Sequence, residues 1–283
     1  MQALKLSTGP LEIGVMFWPG RDPDHILRQL KSWGVRCGQL GVPGDLDLGK
    51  EAPAWKRALQ DHHFMLVTVF AGFTGEDYAD IPTVQRTVGF LPPSTRAERE
   101  ARMLAVSDFA AELNVPSIAA HVGFIPEDTR HEDYVAMREL VRRIADHAAR
   151  HNQIFALETG QEPADALLDF LHDVNRENVG INFDPANMVL YGTGYPIEAL
   201  ALLAEHVVSV HCKDGDWPPK DSETALGVER PLGQGSVGVE RFIAKLKAIG
   251  YRGPLCIERE TQDAAERARD MRNAITILRK LTA

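Results

Sequence analysis

Val179–Leu190 reads VGINFDPANMVL. Its first part, Val179–Phe183, is apolar and rich in residues that favour strands, and the pair Asp184-Pro185 ends it. A carboxylate placed where a buried strand stops is costly unless a partner meets it. The arrangement recurs in IFALE (Ile154–Glu158), VVSVH (Val207–His211) and LCIE (Leu255–Glu258). Each is a short apolar run ending on a side chain that can ligate a metal ion. Together they offer Glu158, Asp184, His211 and Glu258.

Working outward, such runs alternate with helical patterns along the whole chain. The other strands are expected at Leu11–Phe17, Val35–Leu40, Met65–Phe70 and Ser117–Val122. Apolar residues at Ile26, Leu27, Leu30 and Trp33 have helical spacing, which predicts a helix over Asp24–Trp33. Further helices are expected at Ala54–His62, from Thr95 to about Leu113, and at Tyr134–His151, Pro163–Val174, Pro196–His206, Val239–Ile249 and Ala264–Leu281. The TRAE that opens the Thr95 helix resembles a capping box. Eight β/α units with near-continuous apolar strands predict an all-parallel sheet covered by helices, closed as a single-domain (β/α)8 TIM barrel over residues 1–283. An open doubly wound sheet would call for a glycine fingerprint after strand one, where the chain instead reads WPGRDPD. The long loops Ala71–Pro93 and Lys213–Ser236 both follow strands, so both belong on the C-terminal face, where barrel active sites form.

Composition narrows the classes further. Hydrophobic content of 44% and charged content of 25% are those of a soluble globular chain. A net charge of −9 disfavours a nucleic-acid surface. No run is long enough to span a membrane, and MQALKLSTGP at the N-terminus has no apolar leader region. Cys37, Cys212 and Cys256 are odd in number and far apart, which reads as free thiols in a reducing, cytoplasmic setting. A homo-oligomer is left open.

Each ligand candidate has a plain structural alternative. A lone glutamate is usually solvated, a lone histidine often belongs to the core, and Asp184 alone suits the cap of the helix that follows. The joint pattern weighs more, because it falls on strands five to eight and always at the same end. Three carboxylates and one imidazole suit Mn²⁺, Mg²⁺ or Co²⁺ better than a structural Zn²⁺.

The motifs ALETGQE (Ala156–Glu162), INFDPANM (Ile181–Met188), VHCKD (Val210–Asp214), PLGQGSV (Pro231–Val237) and CIERE (Cys256–Glu260) resemble the xylose isomerase-like barrel superfamily, and within it the sugar-phosphate isomerases and ketose 3-epimerases. The first half of the chain adds to the likeness mainly through its strand–helix order and AAHVG (Ala119–Gly123). The resemblance implies that Glu158, Asp184, His211 and Glu258 bind a divalent metal ion, Mn²⁺ first with Mg²⁺, Co²⁺ or Zn²⁺ as alternatives. It also implies that Glu158 and Glu258 move protons on a small carbohydrate. A cation on adjacent carbonyl and hydroxyl oxygens would stabilise an enediolate while one glutamate removes a proton and the other returns one. Return to the opposite face gives an epimerase, and return to the neighbouring carbon an aldose–ketose isomerase.

Other candidates for the substrate are His121, Gln161, Asn187, Lys213 and Trp18, with Phe17 beside it. The plain reading of Lys213 is an ion pair with Asp214, and that of His121, Trp18 and Phe17 is core. Many ketose 3-epimerases carry histidine where this chain has Asn187 and arginine where it has Trp217, so the familiar ketohexose substrate does not follow from the resemblance. The loop Lys213–Ser236 is expected to cover the substrate, with Gly233 and Gly235 making tight turns. His62, His63, His131, His147 and His151 receive no role. The alternative activities are a metal-dependent dehydratase or lyase of a polyol or keto acid, and an apurinic-endonuclease-like or non-catalytic relative.

Overall fold

The computed structural model describes residues 11–19 and 22–283. The N-terminal stretch read above for a leader, residues 1–10, and residues 20 and 21 of the turn after strand one lie outside the described residues.

The apolar runs become eight parallel strands that close on themselves. In chain order they are β1 (Ile13–Phe17), β2 (Cys37–Val42), β3 (Met65–Ala71), β4 (Ser117–His121), β5 (Ile154–Glu158), β6 (Val179–Phe183) and β7 (Val207–Cys212), with β10 (Leu255–Ile257) as the eighth. The order around the barrel is β1-β10-β7-β6-β5-β4-β3-β2, so β1 and β10 complete the ring. Parallel neighbours need a crossover, and helices supply it on the outside. These are α1 (Pro23–Ser32), α2 (Leu48–His62), α4 (Pro93–Glu112), α5 (Glu132–Ala149), α6 (Ala164–Val174), α8 (Pro196–Leu202), α9 (Val239–Ala248) and α10 (Ala264–Thr282). Trp55, Phe155, Phe170, Phe183 and Phe242 are fully buried in the layer between strands and helices. Each such side chain contributes on the order of 1.5–3 kcal/mol by leaving water.

Three expectations change. Helix α2 starts at Leu48 rather than Ala54, because the Asp47 carboxylate accepts the Lys50 amide and caps it there. Pro53 is tolerated within α2 near its start, where it forgoes one amide bond. Helix α4 starts at Pro93 and makes no side-chain cap bond, so TRAE is no capping box. Proline at the first helical position has no amide to satisfy there.

Neither long loop is irregular throughout. The first holds α3 (Ile81–Thr87), capped by Asp80, whose carboxylate accepts the Thr83 amide at 2.7 Å. The second forms an antiparallel hairpin, β8 (Asp214–Asp216) with β9 (Val228–Arg230). The two loops meet, since the Ile81 amide donates to the Thr224 carbonyl at 2.9 Å. Below that bond, Val84, Val88 and Tyr191 pack with Ile81, Phe124 and Leu226. The roof at the C-terminal end of the barrel is therefore two loops fastened together rather than one flap.

Candidate active site

Because β5, β6, β7 and β10 are successive around the ring, their C-terminal ends bring four side chains to one place. His211 Nδ1 stands 2.7 Å from Glu158 Oε1, 3.1 Å from Glu258 Oε2 and 3.4 Å from Asp184 Oδ2. Those three oxygens are buried and lack a hydrogen bond of good geometry. Spacings near 3 Å are what oxygen and nitrogen ligands show around a cation with bonds of about 2.1 Å. The four donor atoms lie within 4.8 Å of one another, so the residues fit a divalent cation.

The interior of the barrel prepares the imidazole for that role. Gln39 on β2 reaches across and donates its amide to Asn182 Oδ1 at 3.0 Å, and Ser209 donates to the same oxygen at 2.6 Å. With Gln39 held this way, its own oxygen accepts from His211 Nε2 at 3.0 Å. The proton then sits on Nε2, and the Nδ1 lone pair faces the carboxylates. Burial alone would depress the His211 pKa, yet Glu258 and Glu158 outweigh it and raise it well above the ordinary imidazole range. Carboxylates crowded around one nitrogen require positive charge, and a bound cation would take the proton's place.

Asp184 divides its oxygens. Oδ1 accepts the amides of Ala186 and Asn187 at 2.8 and 3.0 Å and caps the short helix α7 (Pro185–Tyr191), while Oδ2 joins the cluster. The cap and the ligand readings of Asp184 are thus compatible. Glu158 also uses both oxygens, with Oε2 held by His121 Nε2 at 2.8 Å. Burial works against ionisation of Glu158, but His121 and His211 bring it well below the usual carboxylate range. In return the glutamate holds His121 up at about 9 against the effect of its burial.

Lys213 pairs with Glu258 at 3.2 Å and Glu260 at 3.1 Å, and donates to Asn187 Oδ1 at 3.3 Å. The plain alternative for Lys213, an ion pair with Asp214, does not hold. That carboxylate turns away and is buried under four amides, those of Gly215, Gly233, Gly235 and Val237, at 2.9–3.1 Å. A Cβ on Gly235 would stand 2.4 Å from Asp214 Oδ1, so the cradle needs glycine there.

A cavity of about 700 Å³ opens from the cluster. Trp18, Asn187, Lys213 and His121 line it, as expected, and so do Phe70, Tyr78 and Tyr191. Trp18 lies over Gly41, where any Cβ would come within 2.6 Å of the indole. Phe17 is buried and packs edge-to-face on Phe64 at 5.8 Å. Gln161 is buried behind the wall, 3.4 Å from both His121 Nδ1 and the Tyr191 hydroxyl. Sequence reasoning missed Gln39 and Asn182, although a polar residue inside a buried apolar strand is itself a signal. It also missed Tyr78, whose ring lies tilted against His121 with centroids 5.7 Å apart and which comes from a loop without any pattern.

A family model described as xylose isomerase-like TIM barrel matches residues 27–281. The chain belongs to the xylose isomerase-like TIM barrel family. Among solved structures, a xylose isomerase domain protein from Planctomyces limnophilus is 42% identical, with a TM-score of 0.91 over 96% of this chain and 97% of that one. D-allulose 3-epimerase from Methylomonas sp. shares the fold at 18% identity, with a TM-score of 0.72 over 98% and 99% of the two chains. A xylose isomerase-like TIM barrel protein from Mycobacterium smegmatis in complex with magnesium shares it at 18% identity, with a TM-score of 0.68 and 98% of each chain covered. No curated protein matches the sequence. Within this family fold, the barrel mouth brings together Glu158, Asp184, His211 and Glu258 with His121, Asn187, Lys213 and Trp18.

Proposed function

We propose that the protein is a divalent-metal-dependent isomerase or epimerase of a small hydroxycarbonyl sugar, with Glu158, Asp184, His211 and Glu258 as ligands and Glu158 and Glu258 as proton-transfer groups. The observation that carries this reading is the convergence of three buried carboxylate oxygens, none with a hydrogen bond of good geometry, on His211 Nδ1 at the head of a sugar-sized cavity. The cation, Mn²⁺ in the first instance with Mg²⁺, Co²⁺ or Zn²⁺ as alternatives, supplies positive charge that acidifies the carbon beside a carbonyl. The donor set supports it, as does magnesium in a protein of the same fold.

The chain's own groups do the rest. Glu158, oriented by His121, and Glu258, oriented by Lys213, present two carboxylates from different sides of the cluster. One takes a carbon-bound proton while the other returns one. Lys213 stays charged, because Glu258 and Glu260 outweigh the effect of burial and raise it well above its ordinary value. It is placed to hold a substrate oxygen. Asn187 offers a buried amide nitrogen without a partner, and Trp18, Phe70 and Tyr78 offer apolar surface to the C–H faces of a sugar.

The surroundings support an uncharged sugar over a phosphorylated one. The loop after the seventh barrel strand is a common phosphate site in such folds, and here its amides are taken by Asp214. Among the described residues of the cavity wall, Lys213 is paired with Glu258 and Glu260 and Arg259 with Glu229 and Asp270, while Arg267 donates to the Thr261 carbonyl. The three buried free thiols support a reducing, cytoplasmic setting.

The test is incubation of the metal-loaded protein in D₂O with a panel of free and phosphorylated ketoses. Deuterium entering the carbon next to the carbonyl, in a product of otherwise unchanged composition, supports the proposal. Loss of water from the product would make the protein a lyase instead. Turnover without any exchange would exclude the proton-transfer roles.

A further inference from the structure

On the outer face of the barrel, His147 in the last turn of α5 and His151 in the turn that follows it both reach Asp108 on α4. Nε2 of His147 is 2.7 Å and Nε2 of His151 2.9 Å from the same atom, Asp108 Oδ1. The turn that ends the helix sets the two imidazoles side by side, with ring centroids 5.6 Å apart. The three donor atoms lie within 4.8 Å of one another. We propose that Asp108, His147 and His151 form a second cation site, which takes a borderline transition-metal ion such as Zn²⁺, Ni²⁺ or Cu²⁺ and is separate from the barrel mouth.

The donor set decides the class of ion. Two imidazoles and one carboxylate suit Zn²⁺, Ni²⁺ and Cu²⁺, whereas Mg²⁺ and Ca²⁺ prefer oxygen donors. The cluster at the barrel mouth, with three carboxylates, has the opposite bias. Ligands around a tetrahedral ion with bonds of about 2.1 Å stand roughly 3.4 Å apart, so the outer three need to open by about half an ångström. Asp108 is exposed and His151 is partly so, which makes that movement inexpensive. The C-terminal end of a helix also favours positive charge.

Arg150 opposes binding. Its guanidinium donates to His147 Nδ1, which leaves the imidazole proton on Nε2, the nitrogen that would face the ion. A metal on Nε2 requires Arg150 to release Nδ1 so that it can carry the proton. Arg150 is exposed at the C-cap of α5 and is free to swing into solvent. A plain ion-pair staple between α4 and α5 would have no use for its release, so Arg150 distinguishes the two roles.

The experiment is calorimetric titration of Zn²⁺ into the whole chain with the barrel site already loaded with Mg²⁺. Wild type, the double variant His147→Ala/His151→Ala, Asp108→Asn and Arg150→Ala are compared. Copper titration of the same proteins, followed by electron paramagnetic resonance, counts coordinated imidazoles. The site predicts Zn²⁺ uptake that releases no Mg²⁺, a two-nitrogen copper signal, loss of both in the double variant, and binding tightened about two- to fivefold by Arg150→Ala. Asp108→Asn keeps the shape of the interface and should weaken binding even if the double variant folds poorly. Zn²⁺ uptake only by displacement of Mg²⁺, or uptake that survives in the double variant, would overturn the proposal. Because no readout involves turnover, the outcome is independent of the proposed isomerase activity.

Discussion

The two halves of the barrel rim are built from opposite materials. Strands β4 to β7 and β10 end on His121, Glu158, Asp184, Lys213 and Glu258, at their last residues or just beyond. Strands β1 to β3 end near Trp18, Val42, Phe70 and Ala71. Charges that are buried together must satisfy one another, so each carboxylate in the first half has a second attachment to His121, a helix terminus or Lys213. The aromatic half has no such obligation and contributes shape. The contrast points to chemistry and recognition divided between the halves, with Gln39 crossing from β2 to His211.

The largest expected effect breaks the charged half. Glu158→Gln and Glu258→Gln should each lower turnover by about 10²–10⁴-fold, because the shape and one oxygen ligand survive while the base is lost. Solvent exchange and kcat measured on each variant check this, and normal turnover in both would move the reacting groups elsewhere. Next comes the crossing link. Gln39→Leu should weaken metal binding by about 10–100-fold, as loss of an orienting partner usually does. A metal titration with wild-type affinity would mean that His211 needs no orientation from β2. On the aromatic half, Trp18→Ala should raise KM by about three- to tenfold and leave kcat nearly unchanged, the signature of binding without transition-state preference. A fall in kcat with constant KM would contradict the division.

A separate effect, on stability rather than activity, concerns Glu162, which follows β5 and is buried with neither side-chain oxygen hydrogen-bonded. Burial pushes its carboxyl up to about 8. Between the ordinary carboxylate value and 8 the folded protein holds a proton that the unfolded chain has released, so stability falls as pH rises through that window. Glu162→Gln should remove the loss and raise stability at pH 8 by on the order of 2 kcal/mol, with little change at pH 4. Denaturation at the two pH values checks it. An equal effect at both would mean that packing, not ionisation, governs the site.

The charged half was legible in the sequence because each candidate ligand closes an apolar run, and a run interrupted by a carboxylate or imidazole is conspicuous. The barrel followed from the same runs. The aromatic half was harder to read, since Trp18 and Phe17 look alike in sequence and only the bare backbones of Gly41 and Gly72 decide that Trp18 faces the cavity. The plain reading of Lys213, an ion pair with Asp214, fails because adjacency in sequence says nothing about direction. On a strand, neighbouring side chains point to opposite faces, and Lys213 and Asp214 do so. Tyr78 and the joined loops were beyond reach, because the hydrogen bond from Ile81 to Thr224 links residues that no local pattern relates.

Asp184 carries a thermodynamic consequence. One of its oxygens terminates α7 and the other points into the ligand cluster, so a cation held there grips the same residue that starts the helix. Folding and ion uptake are then linked quantities. A bound ion at a hundred times its dissociation constant would add about 2.7 kcal/mol to the free energy of unfolding. The melting temperature should therefore rise with the logarithm of free metal concentration, and the first turn of α7 should be among the segments whose amides exchange more slowly as the ion is added.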